Sequence, residues 1–140
     1  MTEGFLMDNQ RCVLVVDDEP VLLELLDACL SEDGFRVERA TNGLEAIKMA
    51  EAKQYHAIIT DVRMPVMDGV NFYKRLCATS PHLCGRVIFI SGHLSQENES
   101  FIKTTGRPFL LKPFQIKHLS EAIESLTSAV AERVMENDIF

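Results

Sequence analysis

The sequence predicts one α/β domain built around a parallel β-sheet, and three observations support this prediction. Short apolar runs recur along the chain, longer segments with helical spacing of apolar residues separate them, and the runs are apolar almost throughout. Strands of this kind are typical of a parallel sheet that helices cover on both faces. A chain of 140 residues is long enough for one such domain and too short for two.

Five strands are predicted, and each is a short β-rich run. They span residues 12–16, 36–40, 57–60, 87–90 and 109–111. The first helix is predicted to begin near Pro20, because proline is favoured at the first position of a helix. Its buried side is formed by leucines at helical spacing. These are Leu22, Leu23, Leu26 and Leu30.

Four further helices complete the alternation. Asn42, followed three residues later by Glu45, resembles a capping box and predicts a second helix over residues 43–53. The third and fourth are predicted over residues 70–78 and 95–105, and the fifth follows Pro113. Residues 11–127 are predicted to form the domain, with a tail before them and a helical extension and tail at 128–140.

Charge and composition exclude several function classes. The net charge is −7 and the 14 Lys and Arg residues are scattered, whereas a phosphate backbone is bound by clustered cations, so no direct DNA binding is expected. The chain has neither a signal-like leader nor an apolar run long enough to span a bilayer, which predicts a cytoplasmic protein without membrane contact. The four cysteines form no C-x-x-C pair, and reduced, mostly buried thiols are expected.

Polar side chains follow four of the five predicted strands. Asp17 and Asp18 follow the first strand, Asp61 the third, Ser91 the fourth and Lys112 the fifth. Ligands of open parallel sheets bind beyond the carboxyl ends of the strands, where the strand order reverses. In the order 2-1-3-4-5, strands one and three meet at that point and strand two lies at an edge. The five side chains are therefore expected to converge.

Three converging carboxylates would repel one another, and a divalent cation would offset that repulsion. Hard oxygen ligands suit Mg²⁺, with Mn²⁺ as an acceptable substitute. Binding by Asp18 and Asp61, with Asp17 direct or through water, would leave one oxygen of Asp61 free as a nucleophile. Lys112 and Ser91 would offset charge on a transferring phosphoryl group. Asp61 is therefore predicted to be a phosphoacceptor.

Four motifs in order, "VVDDEP", "TDVRMPVMDG", "FISG" and "LLKPF", resemble the receiver domain of two-component response regulators. The resemblance implies a flavodoxin-like (βα)₅ doubly wound fold with the strand order 2-1-3-4-5. It also implies that Asp61 takes a phosphoryl group from a phosphohistidine on a sensor histidine kinase or a histidine phosphotransfer protein. Such a phosphorelay domain is not an enzyme in the usual sense, because it catalyses only its own phosphorylation and dephosphorylation.

The same resemblance implies further residue roles. The backbone carbonyl of Arg63 would be a metal ligand, and the peptide bond between Lys112 and Pro113 would be cis. Arg63 and His93 would tune the lifetime of the phosphoryl group, although both also fit an ordinary exposed surface.

A conformational switch is implied as well. Ser91 would move toward the phosphoryl oxygen and Phe109 would turn inward behind it. This change would alter the surface of the fourth helix, fifth strand and fifth helix, which a downstream protein effector would read. A homodimer through that surface or through the C-terminal helix is a further expectation, and the sequence leaves open whether the chain is a stand-alone regulator or a piece of a larger protein.

Other interpretations of the same residues stay open. Asp17 and Asp18 also fit charges that favour the first helix through its dipole, and Glu19 is interpreted as a dipole or surface residue. Ser91 with Gly92 also fits a turn. A metal-dependent phosphohydrolase needs the same aspartate and metal, but no acid for the leaving group is evident. A flavin or nucleotide-binding module would need phosphate-binding donors where "DDEP" offers carboxylates.

Two stretches depart from the usual receiver pattern. Gly106-Arg107-Pro108 precedes the fifth strand where many receivers carry Gly-Ala, which places a cation and a rigid proline beside the expected switch surface. In addition, apolar spacing continues past the usual end of the domain to Val130, before Arg133 interrupts it.

Overall fold

The computed structural model describes residues 11–126, which contain one five-stranded parallel sheet. The order across the sheet is β2-β1-β3-β4-β5, and every neighbouring pair is parallel. The strands are β1 (Cys12–Val16), β2 (Arg36–Ala40), β3 (Ala57–Asp61), β4 (Val87–Ser91) and β5 (Phe109–Leu111). The predicted fold class and strand order are confirmed.

Helices follow the strands as predicted, with small differences at their ends. They are α1 (Pro20–Glu32), α2 (Gly43–Ala52), α3 (Gly69–Thr79), α4 (Gln96–Thr105) and α5, described over residues 116–126. A 3-10 helix, Pro81–Arg86, lies between α3 and β4 and was not predicted. Short helices of this type carry little periodic signal, which explains why the apolar spacing did not indicate it.

Side-chain caps explain where the helices begin. Asn42 accepts a hydrogen bond from the amide of Glu45 at 2.9 Å, and the Glu45 carboxylate accepts one from the amide of Thr41 at 2.9 Å. This is the expected capping box, except that the Glu45 carboxylate accepts from the amide of Thr41 instead of that of the N-cap residue Asn42. Asp68 caps α3 by accepting from the amide of Asn71 at 2.8 Å. The two caps hold the loops that follow β2 and β3 at the carboxyl end of the sheet.

The sheet is buried on both faces. Val13 and Val15 pack with the leucines of α1 and with α5, whereas Leu14 and Val16 pack on the other side with α2, α3 and α4. All four β1 side chains are fully buried, and each such burial stabilises the fold by about 1.5–3 kcal/mol relative to exposure. The helices therefore hold the strands rigidly, and the strand ends present their polar residues at fixed positions.

The expectation of four reduced thiols is wrong for two of the cysteines. Cys77 in α3 and Cys84 in the 3-10 helix form a disulfide, with their Cα atoms 5.2 Å apart. α3 ends at Thr79 and the 3-10 helix begins at Pro81, and this break at Ser80 allows a proximity that the seven-residue separation alone does not reveal. Cys12 and Cys29 are free thiols.

Within residues 11–126, no helix combines the length and the apolar character that crossing a bilayer requires. The predicted N-terminal tail (1–10) and the C-terminal extension and tail (128–140), including Val130, lie outside the described residues.

Candidate functional site

Two aspartates lie side by side at the carboxyl end of the sheet. Val16 of β1 pairs with Thr60 of β3, so the next residues along the chain, Asp17 and Asp61, are neighbours. Asp17 is fully buried and Asp61 is 5% exposed. Carboxylate oxygens of Asp17, Asp61 and Glu19 all lie within 4.8 Å of one another. The order of the strands therefore brings together acids that are far apart in the sequence.

Lys112, directly after β5, reaches across to all three acids. Its ammonium group is 2.9 Å from Asp17 Oδ2, 3.2 Å from Asp61 Oδ2 and 3.2 Å from Glu19 Oε1. The amide of Lys112 donates to the carbonyl of Ser91 at 2.8 Å, which anchors the lysine beside β4, and the following peptide bond to Pro113 is cis. We call Asp17, Glu19, Asp61 and Lys112 the acidic site.

The acidic site is short of positive charge. Burial raises the pKa of Asp17, although hydrogen bonds from Lys112 and from the amide of Glu19 oppose the change. Burial would by itself lower the pKa of Lys112, but its hydrogen bonds to and attraction by Asp17 and Asp61 outweigh this and raise the pKa. One ammonium group offsets only one of three carboxylates. The residues present, which are hard oxygen donors with excess negative charge, therefore fit a divalent cation such as Mg²⁺.

Ser91 closes β4 next to the acidic site. It is buried, and its hydroxyl donates to the carbonyl of His93 at 2.9 Å while accepting from the amide of His93 at 3.3 Å. The side chain of His93 is exposed. The hydroxyl is thus bonded to its own loop, and reaching toward Asp61 would require exchanging these bonds for new ones.

The backbone around Asp61 is held by several polar contacts. The buried hydroxyl of Thr60 donates to the carbonyl of Asp61 at 2.9 Å, and the amide of Arg63 lies 3.4 Å from Asp61 Oδ1. The amide of Gly69 donates to the carbonyl of Val62 at 2.9 Å. These contacts fix the carboxylate of Asp61 relative to the loop after β3.

Two glycines allow that loop to pack closely. A Cβ atom on Gly69 would lie 2.1 Å from the carbonyl oxygen of Asp61, and one on Gly43 would lie 2.6 Å from that of Met67. Only a residue without Cβ fits at either position. Val66 in the same loop has a φ of 69°, a left-handed conformation that is unfavourable for a β-branched residue.

The structure brings some of the predicted residues together and leaves others apart. Asp17, Asp61 and Lys112 are in contact and Ser91 borders them, whereas Asp18 is exposed and lies outside the group of acids within 4.8 Å. Glu19, interpreted from sequence as a dipole or surface residue, belongs to that group.

A local signal for Glu19 was present in the sequence. The backbone at Glu19 is extended, with φ −94° and ψ 110°, and its side chain contacts the same lysine as that of Asp17. Residues two apart in an extended segment share one side, so the spacing of two between Asp17 and Glu19 was the signal for this contact. The hydroxyl of Thr60 was also missed, although a polar residue in an otherwise apolar strand was the signal for it.

Phe109 begins β5 and is half-buried against the core that includes α4. It lies on the wall of a cleft of about 520 Å³, together with Gly92, His93, Leu94 and Ile102. Arg107, in the stretch that departs from the usual receiver pattern, donates from its guanidinium to the carbonyl of Gly85. The phenylalanine predicted to switch thus packs against the core on one side and borders open space on the other.

Solved structures share this architecture. A CheY-like response regulator receiver domain protein from Methanospirillum hungatei has a TM-score of 0.81 and 25% identity, covering 89% of this chain and 99% of that one. The response regulator protein TrrA from Thermotoga maritima, in complex with Mg²⁺-BeF, has a TM-score of 0.74 and 27% identity over 84% of this chain and 99% of that one.

Sequence relatives agree with the structural ones. The positive alginate biosynthesis regulatory protein of Pseudomonas aeruginosa is 34% identical over 115 residues, which are 80% of this chain and 45% of that protein. This chain spans about half the length of the curated relatives it matches. Residues 13–124 match the family model of the response regulator receiver domain. The protein therefore belongs to the response regulator receiver domain family and has a function in two-component signalling.

Proposed function

We propose that Asp61 is the phosphoacceptor of a two-component phosphorelay. The observation that carries the proposal is the contact of Asp61 with Lys112 and its place beside the buried Asp17 at the carboxyl end of the sheet. A lone aspartate at a strand end is a weak acceptor, because nothing offsets the charge of an incoming phosphoryl group. Here an ammonium group stands 3.2 Å from one of its oxygens.

The transfer is a displacement at phosphorus. One carboxylate oxygen of Asp61 attacks the phosphorus atom of a phosphohistidine, an O–P bond forms, the N–P bond breaks, and the imidazole leaves with the electron pair and takes up a proton. The ammonium group of Lys112 stabilises the negative charge on the phosphoryl oxygens. The amide of Arg63 lies beside Asp61, and the hydroxyl of Ser91, at the end of the neighbouring strand, would be a further donor after giving up its bond to His93.

Asp17 and Asp61 are the proposed carboxylate ligands of Mg²⁺, with Asp18 or Glu19 as the third acid and the carbonyl of Arg63 as a further ligand. Bound there, the cation would supply charge neutralisation between the carboxylates and the phosphoryl oxygens. The chain itself orients the ligands. Asp17 accepts hydrogen bonds from Lys112 and from the amide of Glu19, so its carboxylate is oriented before any cation binds.

Phosphorylation would be read through Ser91 and Phe109. We propose that Ser91 gives up its bonds to His93 for the phosphoryl oxygen, and that Phe109 moves into the space behind it. The cleft beside Phe109 supports this, because it gives the ring room to change its position. The surface of α4, β5 and α5 would change with it.

The proposed partners agree with this scheme. They are a histidine kinase or histidine phosphotransfer protein as donor and a protein effector at the α4, β5 and α5 surface, with homodimerisation through that surface as an additional use. Arg63 and His93, whose side chains are exposed beside the site, are proposed to tune the phosphoryl lifetime. Catalysis is limited to the domain's own phosphorylation and dephosphorylation, in the cytoplasm and without DNA contact.

The test is chemical phosphorylation followed by intact mass. The protein is incubated with acetyl phosphate in the presence of Mg²⁺, and a single phosphoryl adduct is expected. Asp61→Asn should lose the adduct. Asp68→Asn is the matched control, because asparagine caps a helix as well as aspartate does and the variant should still be phosphorylated.

Two results would contradict the proposal. One is an adduct that persists in Asp61→Asn, and the other is a wild-type protein that binds Mg²⁺ but takes up no phosphoryl group from acetyl phosphate or phosphoramidate. Steady turnover of a phosphomonoester by the wild type would instead favour a phosphohydrolase. Removing Mg²⁺ with EDTA should abolish the adduct.

A further inference from the structure

A second cleft lies at the end of the sheet opposite the acidic site. It is formed where β1, β2 and β3 begin and where the 3-10 helix packs beside them, and its volume is about 560 Å³. β3 separates it from Asp61 by four residue steps, or roughly 13 Å. Its cationic and histidine side chains are Arg11, Arg36, Lys53, His56, His82 and Arg86. We call these six residues and their cleft the basic pocket.

The positive charge of the basic pocket is poorly balanced. No aspartate or glutamate lines it, in a chain whose net charge is −7. Lys53 is paired with Glu38, which also accepts a hydrogen bond from Tyr55. In contrast, Arg11, Arg36 and Arg86 form no ion pair among residues 11–126. Within that part of the chain, three guanidinium groups therefore share one cleft without a carboxylate in direct contact.

His56 lies among these charges in a partly buried position. Its pKa is lowered, first by burial and then by the positive charges of Arg11 and Arg86. The Arg86 guanidinium donates a long hydrogen bond, 3.5 Å, to the carbonyl of His56. Cations that repel one another and have few acceptors are stabilised by an anionic ligand, and planar guanidinium groups fit phosphate oxygens in a bidentate manner.

We propose that the basic pocket binds a small anion that carries at least two phosphate groups. The three arginines line the cleft from three separate segments, directly before β1, at the start of β2 and at the end of the 3-10 helix, so a ligand with two phosphates offers each of them an acceptor. The volume is in the range of small-molecule sites. The shared chemistry is a diphosphate, supplied either by an inorganic diphosphate or by a nucleoside diphosphate. The proposal is independent of phosphorylation at Asp61.

The test is a titration of the 140-residue protein followed by ¹H–¹⁵N NMR, in EDTA so that no Mg²⁺ complex forms. Pyrophosphate, ADP, AMP and adenosine are compared. Pyrophosphate and ADP should shift the amides of His56 and Arg86 and leave those of Asp61 and Ser91 in place. AMP should bind at least about fivefold more weakly and adenosine not at all, because fewer phosphates leave arginines unpartnered.

Comparing the affinities of pyrophosphate and ADP distinguishes an inorganic diphosphate from a nucleoside diphosphate as the ligand. ADP binding more tightly than pyrophosphate would assign the pocket to a nucleotide, and equal affinities would assign it to the diphosphate group alone. In both cases, raising NaCl from about 50 to 300 mM should weaken binding severalfold, because the attraction is screened.

Paired charge variants provide the controls. Arg36→Gln with Arg86→Gln should weaken pyrophosphate binding by about tenfold or more, while phosphorylation by acetyl phosphate stays at the wild-type level. Lys48→Gln with Arg75→Gln removes the same charge from exposed positions on α2 and α3 and should change the affinity by less than about twofold. The proposal is overturned if neither diphosphate binds the wild type, or if both double variants bind it equally well.

Discussion

Replacing Lys112 by methionine should destabilise the protein without Mg²⁺ and increase the stabilisation that Mg²⁺ brings. Methionine keeps most of the length of the aliphatic stem and removes the ammonium group of a side chain that is 18% exposed. The change leaves the buried carboxylate of Asp17 beside Asp61 with no cation. It therefore isolates the charge balance of the acidic site from its packing.

The distances give the magnitude. At an effective dielectric constant of about 20, attractions across 2.9 and 3.2 Å are worth about 6 and 5 kcal/mol for Asp17 and Asp61. The repulsion between the two aspartates, whose oxygens lie within 4.8 Å, is at least about 3 kcal/mol. Most of the lost attraction is recovered because the lysine no longer has to be desolvated. Removing one partner of a buried pair costs about 3–5 kcal/mol, and partial exposure of Lys112 reduces this to about 2–4 kcal/mol.

Urea unfolding at pH 8 in EDTA measures this loss. Adding Mg²⁺ should then raise the free energy of unfolding more in Lys112→Met than in the wild type, because the ammonium group no longer repels the cation. Lowering the pH should narrow the gap between the two proteins in EDTA, since the pKa of Asp17 is already raised and the variant favours its protonation further.

A matched variant makes the result decisive. Lys117→Met removes an exposed lysine from α5 and should change the free energy of unfolding by less than about 0.5 kcal/mol. Equal stability of wild type and Lys112→Met in EDTA would contradict this electrostatic explanation. An equal response of both proteins to Mg²⁺ would show that the lysine does not oppose the cation.

Three further outcomes are expected from single positions. The pKa of His56 is lowered in the folded protein by burial and by two arginines of the basic pocket, so the unfolded chain binds the proton more readily. The free energy of unfolding should therefore fall as the pH drops below about 6.5. In urea unfolding, His56→Gln should lose part of this pH dependence, whereas the exposed His118→Gln should keep it. Gly69→Ala should lower the free energy of unfolding by at least about 2 kcal/mol, because its Cβ would lie 2.1 Å from a carbonyl oxygen of β3; Gly85→Ala, which has nothing within 4 Å, should be nearly neutral, and equal losses would contradict the steric explanation. Val66→Asn should raise the melting midpoint, since asparagine adopts the left-handed φ of 69° with about 1 kcal/mol less cost than valine; an unchanged or lower midpoint would count against strain at this residue.

The β-α alternation was readable in the sequence because strand and helix formation depend largely on local pattern. The continuous apolar run of β1 predicts a strand that is buried on both faces, and the spacing of the leucines of α1 predicts a helix with one buried side. Asn42 and Glu45 indicated a helix start because capping involves residues only three apart. The four ordered motifs then identified the family, which the match over residues 13–124 confirms.

Tertiary packing determines which side chains meet. From the sequence, Asp18 was expected beside Asp17 and Glu19 was interpreted as a dipole or surface residue, whereas the direction of the backbone after β1 placed Glu19 with the lysine. The disulfide of Cys77 and Cys84 depends on the break between α3 and the 3-10 helix at Ser80, which has no periodic signal. These outcomes depend on contacts between distant or sharply turned segments, whose geometry the local pattern does not encode.

The sequence alone was sufficient for the fold class, the family and the position of polar residues at the strand ends, because the hydrophobic pattern specifies each strand and the motifs specify the polar residues after it. The charge balance around Asp61 and the existence of the basic pocket emerged only from the packing of the whole chain. Arg11, Arg36 and Arg86 are scattered along the chain, so no run of basic residues in the sequence predicts the pocket. They share one cleft because parallel strands all begin at the same edge of the sheet. The acids of the acidic site lie together for the same reason, since the strands all end at the opposite edge.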